Sequence, residues 1–496
     1  MSQRFDGSVA ICESKSSVFL CPKQNCWPFM RRDWCFFFNF AQFFAKTIYS
    51  YLFYMANVIK LRKGLDLNLK GKANLETMQT KVEGQYALVP DDFCGMKPKV
   101  VVKEGDAVKV GDALFVDKSH PEVKFVSPVS GTVALVERGE RRKVMSVRVD
   151  ADGKQTAASF TEKEPLKLLL ESGLFGFFRM RPYDVVANPE DKPKAIFVSA
   201  FNSMPLAADF EYVLQGQEKE WQAGLSLLAK IAKVNLGISK QQKAQALTAA
   251  KDCTITVFDG PAPAGNVGVQ INHVDPINKG EVVWTLGAEE VIFIGRLVLT
   301  GKVDFTRTIA VAGSEVKAPK YAKTLVGQPI KSILAGQIDE SKSLRIINGN
   351  PMVGVKTSKK GWLAAHATEV TVIPEGDDVY EMLGWIAPRF KEFSTSRSYF
   401  SWLRPKKAEY ELDARIKGGE RHMIMSGEYD RVFPMDIYAG YLVKAIIAGD
   451  IDRQEALGIY EVAPEDFAIA EFVDSSKLEL QRIVREGLDI LRKENA

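Results

Sequence analysis

Between residues 100 and 139 apolar and polar positions alternate in short runs, "VVVKEGDAVKVGDALFV" and then "VKFVSPVSGTVALVERG", each interrupted by Gly, Asp or Pro. A period of two bounded by turn residues predicts β-hairpins, with turns at Gly105-Asp106, Gly111-Asp112 and Pro128 to Gly131. Two such halves make a flattened β-sandwich. From about 160 to 305 the pattern changes. The runs "AIFVSAF" (195–201), "CTITVFDG" (253–260) and "EEVIFIGRLVL" (289–299) are rich in β-branched residues and predict buried strands. Between the first two, "EKEWQAGLSLLAKIAK" (218–233) sets Trp221, Leu225, Leu228 and Ile231 at helical spacing. Further on, "AGSEVKAPKYAKTLVGQPIKSILAG" (312–336) predicts a strand, a loop and a short helix after Gly327, and "RIINGNPMVGV" (345–355) a strand that completes its sheet.

Alternation of strands and helices over 156–305 implies a parallel, Rossmann-like α/β sheet. Its phosphate-binding signature is missing, because no G-x-G-x-x-G occurs. The loop "GPAPAGNVG" (260–268) is broken by prolines and is not expected to open directly into a helix as a phosphate cradle must. An NAD site here is therefore not expected.

Composition narrows the classes further. At 496 residues the chain can hold three or four domains, and 46% apolar with 26% charged residues is ordinary soluble composition. The formal net charge is +4, but residues 1–54 carry six Lys/Arg against three Asp/Glu, which leaves about +1 for the other 442. Such balance argues against a nucleic-acid or anionic-membrane partner, which calls for a dense basic face. Four of six cysteines (Cys12, Cys21, Cys26, Cys35) also fall in the first 54 residues, leaving Cys94 and Cys253. Two thiols exclude a disulfide framework and a self-contained iron–sulfur centre, which is normally held by four.

The same first 54 residues hold "WCFFFNFAQFFAKTIYSYLFY" (34–54), aromatic-rich but interrupted by Asn39, Gln42 and Lys46. A central Lys costs about 2.5 to 3.5 kcal/mol on the insertion scale while each Phe returns a few tenths, so spanning a membrane is marginal. Composition changes abruptly at Met55, and a mis-set start is expected, with translation beginning there.

In "DKSHPEV" (117–123), Lys118 sits where the sandwich hairpin would have its tip. This region is similar to the barrel-sandwich hybrid of lipoyl and biotinyl domains, in which that lysine is modified. Pro121 stiffens the tip, and the spacing to Ser127-Pro128 departs from the lipoyl pattern, so Lys118 is read as unmodified. The four histidines (His120, His273, His366, His422) are too scattered for a metal centre. In "GLFGFFRMRPYD" (173–184), Leu174, Phe175, Phe177 and Phe178 stand where a flavin ring would need space. No Ser-Gly-Ala-Thr flavinylation signal occurs. The tail (425–491) has the layout of a two-cluster ferredoxin-like helical domain, yet "FPMDI" replaces the cysteine motif, and Met and Phe hold no cluster.

Taken together, "KGLDLNLKG", "VKFVSPVSG", "FVSAFNSMPLAAD", "VFDGPAPAG" and "RSYFSWL" resemble the A subunit of the sodium-translocating NADH:quinone oxidoreductase over residues 55–496. The familiar form of the Pro-rich loop has His where this chain has Ala262. The resemblance implies a multidomain α/β chain. Residues 1–54 are an extension outside the family, 55–155 a barrel-sandwich hybrid, 156–305 the Rossmann-like domain, 306–376 a β-grasp domain and 377–496 a helical domain, ferredoxin-like but lacking clusters. It further implies a peripheral, cofactor-free subunit on the cytoplasmic face of the bacterial inner membrane. Its partners would be five other subunits that carry FAD, FMN, riboflavin and iron–sulfur centres, together with quinone; membrane contact would run through partner subunits. The alternatives are a lipoyl or biotinyl carrier and a soluble flavin-dependent NADH dehydrogenase subunit. No catalytic, cofactor or metal residue is expected. The candidates for a quinone or subunit interface are Arg397, Tyr399, Phe400, Trp402 and Arg404, in a segment that otherwise reads as a hairpin packed on its neighbour. Intact mass of the purified chain should show no lipoyl or biotinyl addition at Lys118; such a gain would establish a carrier.

Overall fold

Two copies of one local device build the sandwich turns. Asp106 and Asp112 each accept the backbone N–H three residues back, from Lys103 and Lys109, at 2.7 Å, and each returns its own N–H to that residue's carbonyl at 3.1 Å. An Asp side chain that closes its own turn is the reason Gly-Asp punctuates the first run twice. The strands between form two antiparallel sheets. One is ordered Gln85–Leu88, Val144–Ala151, Gly131–Arg138, Ala107–Val108, and the other Pro98–Val100, Ala113–Asp117, Lys124–Val126. Leu114, Phe115, Val123, Phe125, Val129, Val133, Val147 and Val149 are buried between them.

The computed structural model describes residues 9–14, 17–22, 58–80, 84–377, 386–405 and 407–495. The strand pair Val9–Ser14 and Ser17–Pro22 is antiparallel and forms a unit of its own. The aromatic run at 34–54 lies outside the described residues.

The segment ahead of the sandwich is shared between two other sheets. Val58–Lys60 is the parallel edge of a seven-stranded α/β sheet, and Asn74–Gln79 the parallel edge of a six-stranded one. The seven-stranded sheet runs Val185–Val186, Arg179–Arg181, Val283–Gly287, Ile196–Ser199, Val234–Ser239, Thr254–Asp259, Val58–Lys60. Its last five strands are mutually parallel. Two of the expected strands, 195–201 and 253–260, lie where periodicity put them, and the helix expected over 218–233 forms over Glu218–Leu228 and ends before Ile231.

The expected strand at 289–299 is instead the helix Ala288–Thr300, and the parallel strand is Val283–Gly287 just before it. A continuous apolar run does not separate a buried strand from a helix buried on nearly all sides. This helix is the second kind, with Val291, Ile292, Phe293, Ile294 and Leu297 all buried. It crosses helix Glu218–Leu228 with the backbones nearly touching. A Cβ on Gly224 would lie 2.2 Å from the Val291 carbonyl oxygen, and one on Gly295 1.7 Å from that of Glu220. Any larger residue at either point would push the two helices apart.

The six-stranded mixed sheet is ordered Val355–Thr357, Leu344–Asn348, Glu369–Pro374, Thr306–Ala312, Lys320–Leu325, Asn74–Gln79, with one short helix, Ile330–Ile333. The C-terminal helices Ala439–Ala448 and Leu480–Glu494 bury Leu442, Val443, Ile446, Val484, Leu488 and Leu491 in a core that also takes Leu61, Phe258 and Ala262 from the α/β side.

The sandwich is tied to the six-stranded sheet by Asp92, whose carboxylate accepts the Ala365 N–H at 2.8 Å. Burial pushes this carboxyl up to about 7, and neighbouring Asp91 adds to the effect while the Ala365 N–H and Arg179 oppose it. A folded-state value above the unfolded one makes Asp92's contribution complete below about pH 4 and lost as pH rises through 7. Asp92→Asn keeps the acceptor and removes the charge. It should unfold at higher urea than the parent at pH 8, by at most about 4 kcal/mol. The difference should vanish near pH 4, and an equal difference at both pH values would refute this account.

Candidate functional site

An open α/β sheet receives ligands where its strand order reverses, at the carboxyl ends of the strands. Here that point lies between Ile196–Ser199 and Val283–Gly287, and the protein's own side chains occupy it. On one side the Ser199 hydroxyl shares its one proton between the carbonyls of Phe201 (2.9 Å) and Gly265 (2.8 Å), and accepts from the Gln270 amide at 2.8 Å. On the other, helix Ala288–Thr300 opens with Glu289 and Glu290, acids that suit the positive end of a helix. Both are buried against Arg307, which reaches Glu289 through Nε at 2.8 Å, Glu290 through Nη2 at 3.2 Å and the Ala365 carbonyl through Nη1 at 2.6 Å. Burial raises the Glu289 carboxyl, and Arg307 pulls it back. His366, 3.9 Å from Glu290, is held neutral by burial, with Arg179 and Arg307 adding to the effect.

The Pro-rich loop corrects a second expectation. It does open into a helix, Val267–Val274, with Asn266 at its start. The prolines precede the first turn, where fixed φ and a missing N–H do no harm. The helix start is nevertheless taken, because the Asp466 carboxylate lies against Gly268 and the Asn266 amide donates to Glu465 and Asp466. Ala262, at the position where the family resemblance leads one to look for His, is fully buried, its N–H donated to Asp66 at 2.9 Å.

The loop at 173–184 is likewise filled. Phe175 and Phe178 stack on each other and edge onto Trp284, while Phe177 meets Phe93, Phe293, Phe305 and His366. Its glycines serve packing: a Cβ on Gly173 would stand 2.4 Å from Val126, and one on Gly176 2.8 Å from Phe125 of the sandwich. Beyond the aromatics, Arg181 is buried among three carboxylates, with Glu465 at 3.0 Å, Asp184 at 3.6 Å and Asp466 at 3.6 Å. Burial pushes Glu465 and Asp466 up. For Asp184 burial is outweighed by Arg181 and Arg179, so its carboxyl stays low. Arg485 of the last helix grips the same turn through the carbonyls of Tyr183 and Asp184. Sequence reading passed over this cluster. Its one local signal was the sudden charge of "RMRPYD" after an apolar run.

The predicted interface residues are brought together on one exposed stretch. Arg397 is exposed, Arg389 lies over the Tyr399 ring at 5.4 Å and Arg404 over Tyr410 at 5.5 Å. The short 3-10 helix Phe400–Leu403 buries only Ser401, leaving Phe400 51%, Trp402 52% and Leu403 61% exposed. A hairpin packed into a core would have covered these rings. Lys118 stands exposed at the tip between Ala113–Asp117 and Lys124–Val126, where Asp117 accepts the N–H groups of Lys97 and Ser119. Phe433 and Met435 of "FPMDI" are buried in the C-terminal core. His120 comes near two acids, Glu122 and Glu190, their ligand atoms within 4.8 Å of one another, but both acids are exposed. His273 bonds the Val269 carbonyl, and His422 is exposed. Among the described residues no helix is long and apolar enough to cross a membrane.

Three family patterns match the chain: the NqrA N-terminal barrel-sandwich hybrid domain over residues 59–152, the NqrA second alpha/beta domain over 160–303 and the NQRA C-terminal domain over 308–359. The chain is 34% identical over 452 residues to the A subunit of the Na(+)-translocating NADH-quinone reductase of Rhodopirellula baltica, covering 88% of this chain and 99% of that protein. The proteins of the same name from Neisseria meningitidis serogroup A and Yersinia pestis bv. Antiqua are 33% and 34% identical, each covering 88% of this chain and 100% of the relative.

Removing the guanidinium would leave carboxylates buried and unpaired. Arg181→Ala should therefore destabilise the protein by about 3–5 kcal/mol in urea unfolding at pH 8. The deficit should shrink toward pH 5, where the Glu465 carboxyl, pushed up to about 7 by burial, takes up its proton. A loss below about 1 kcal/mol at pH 8 would remove the cluster's structural role.

Proposed function

Because the chain belongs to the NqrA family, the A subunits of the Na(+)-translocating NADH-quinone reductase, we propose that it is the peripheral subunit of that sodium pump that serves quinone reduction and docking, without holding a redox cofactor itself. In this reading electrons pass from NADH to quinone over flavins (FAD, FMN, riboflavin) and iron–sulfur centres carried by the five other subunits, and Na+ moves outward. The chain sits at the cytoplasmic face of the membrane. The stretch holding Arg397, Tyr399, Phe400, Trp402 and Arg404 is its quinone or subunit interface. Lys118 is unmodified, and the sandwich serves as a docking module.

One observation carries the reading. Each place where a redox group or nucleotide would be sought is taken by the protein's own side chains: the strand-reversal crevice by Ser199, Gln270 and the Glu289–Glu290–Arg307 group, the glycine loop by Phe175, Phe177 and Phe178, the "FPMDI" turn by Phe433 and Met435. Hydride acceptance from NADH requires a bound flavin and a nucleotide site. A quinone headgroup needs only an apolar slot with one or two donors, which an aromatic and Arg-rich loop can line against a partner. The same reading treats 306–376 as a β-grasp module and 377–496 as a ferredoxin-like helical domain that has lost its clusters.

Deleting the subunit should abolish sodium-dependent quinone reduction in membranes and leave at least half of NADH oxidation by a soluble dye. Equal loss of both activities, in a complex that still assembles, would move the chain to the NADH side and end this assignment.

A further inference from the structure

The near-neutral charge of the chain conceals one concentrated exception. Between residues 386 and 407 stand Arg389, Lys391, Arg397, Arg404, Lys406 and Lys407, against a single acid, Glu392. That acid is already neutralised, by Arg389 at 3.0 Å and by Lys417 at 2.5 Å. Of the acids that follow, Glu409 is exposed, while Glu411 pairs with Lys70 and Asp413 with Arg415 and Lys417.

Large apolar side chains are interleaved with this charge and turned to water. Ile386, Phe390, Phe400, Trp402 and Leu403 are all about half exposed or more. They belong to one surface, because the Phe400 N–H bonds the Pro388 carbonyl at 2.9 Å and the Phe390 and Phe400 rings lie 6.0 Å apart. Burying Ser401 while leaving Phe400, Trp402 and Leu403 outside reverses the usual preference of a soluble protein, and exposed patches of this kind mark an interaction site. Its chemistry selects the partner. Protein–protein interfaces favour aromatic residues and Arg but are depleted of Lys, which supplies three of the six cations here. Trp and Phe interleaved with Arg and Lys suit instead the boundary of an anionic bilayer, where amphipathic rings sit at headgroup level and each cation gains from surface phosphate.

We infer that this stretch binds an anionic lipid surface directly, with Phe400, Trp402 and Leu403 seated among the headgroups and Arg397 and Lys407 on lipid phosphates. The inference rests on the reading above in taking this stretch as the chain's interface with the membrane-bound pump, and it assigns the stretch to lipid in place of quinone or a partner subunit. It differs from that reading in that membrane contact does not run solely through partner subunits.

The test uses the full chain with vesicles of phosphatidylglycerol and phosphatidylethanolamine, or of phosphatidylcholine alone. Quenching by brominated lipid, taken as the difference between the parent and Trp402→Phe, isolates this face from the six other tryptophans and from any other part of the chain that meets lipid. Trp402 should be quenched on the anionic vesicles, less so at high salt, and not on phosphatidylcholine. The surface variants Arg397→Glu with Lys407→Glu, and Phe400→Ser with Leu403→Ser, should each weaken vesicle partition by about tenfold or more with unchanged circular dichroism. Three outcomes would overturn the inference: no Trp402-dependent quenching, quenching indifferent to lipid charge, or unquenched Trp402 together with protection of 386–405 from hydrogen exchange in the detergent-solubilised complex, which would mean that another subunit covers the face. None of these outcomes measures quinone reduction, so the quinone-end assignment is left to its own activity test.

Discussion

A guanidinium taken out of water must find its charge and hydrogen-bond partners inside the protein, and two such groups hold this chain together. Arg181 joins the edge of the α/β sheet to Glu465 and Asp466 of the C-terminal helices. Arg307, on the six-stranded sheet, joins Glu289 and Glu290 at the head of the helix that packs beneath the α/β strands. Each ties surfaces from different parts of the sequence, so neither arrangement survives unless both sides fold. The aromatic junction of Phe93, Phe125, Phe177 and His366 then closes around the same loops.

These pairings also decide what the fold has no room for. Helix starts and the strand-reversal crevice are where an α/β protein would place phosphate, and here carboxylates stand there, bringing the negative charge that a ligand would otherwise supply. Glu289 and Glu290 do this at one helix and Asp466 at another. The glycines at 173 and 176, which on their own read like the remains of a cofactor loop, are required because the sandwich strand passes too close for a side chain. At each of these points the place where an α/β protein would bind a ligand holds a structural contact instead.

Charge behaves differently at the outer surface. Averaged over the chain it nearly cancels, yet residues 386–407 hold six cations against one acid, and the Phe390, Phe400 and Trp402 side chains among them are about half exposed. An average is the wrong measure for a surface interaction, because a bilayer or partner responds to the potential within roughly 10 Å of the contact.

The sequence by itself determined what depends on neighbours in the chain. The period-two runs and self-closing Gly-Asp turns of the sandwich were legible, as were the strands at 196–199 and 254–259, the helix at 218–228 and the family. Tertiary structure alone decided the rest. The run at 289–299 became a helix because it is buried on nearly every side, which erases the polar face that would have disclosed its period. The strands at 58–60 and 74–79 left the sandwich for two other sheets, because edge pairing depends on which backbone is in reach rather than on local pattern. Arg181 and Glu465 are 284 residues apart, and nothing local distinguishes a buried pair from two solvated charges. Nor does an aromatic run disclose whether it will be covered: the rings at 399–402 read as core, and only the packing around Ser401 turned them outward.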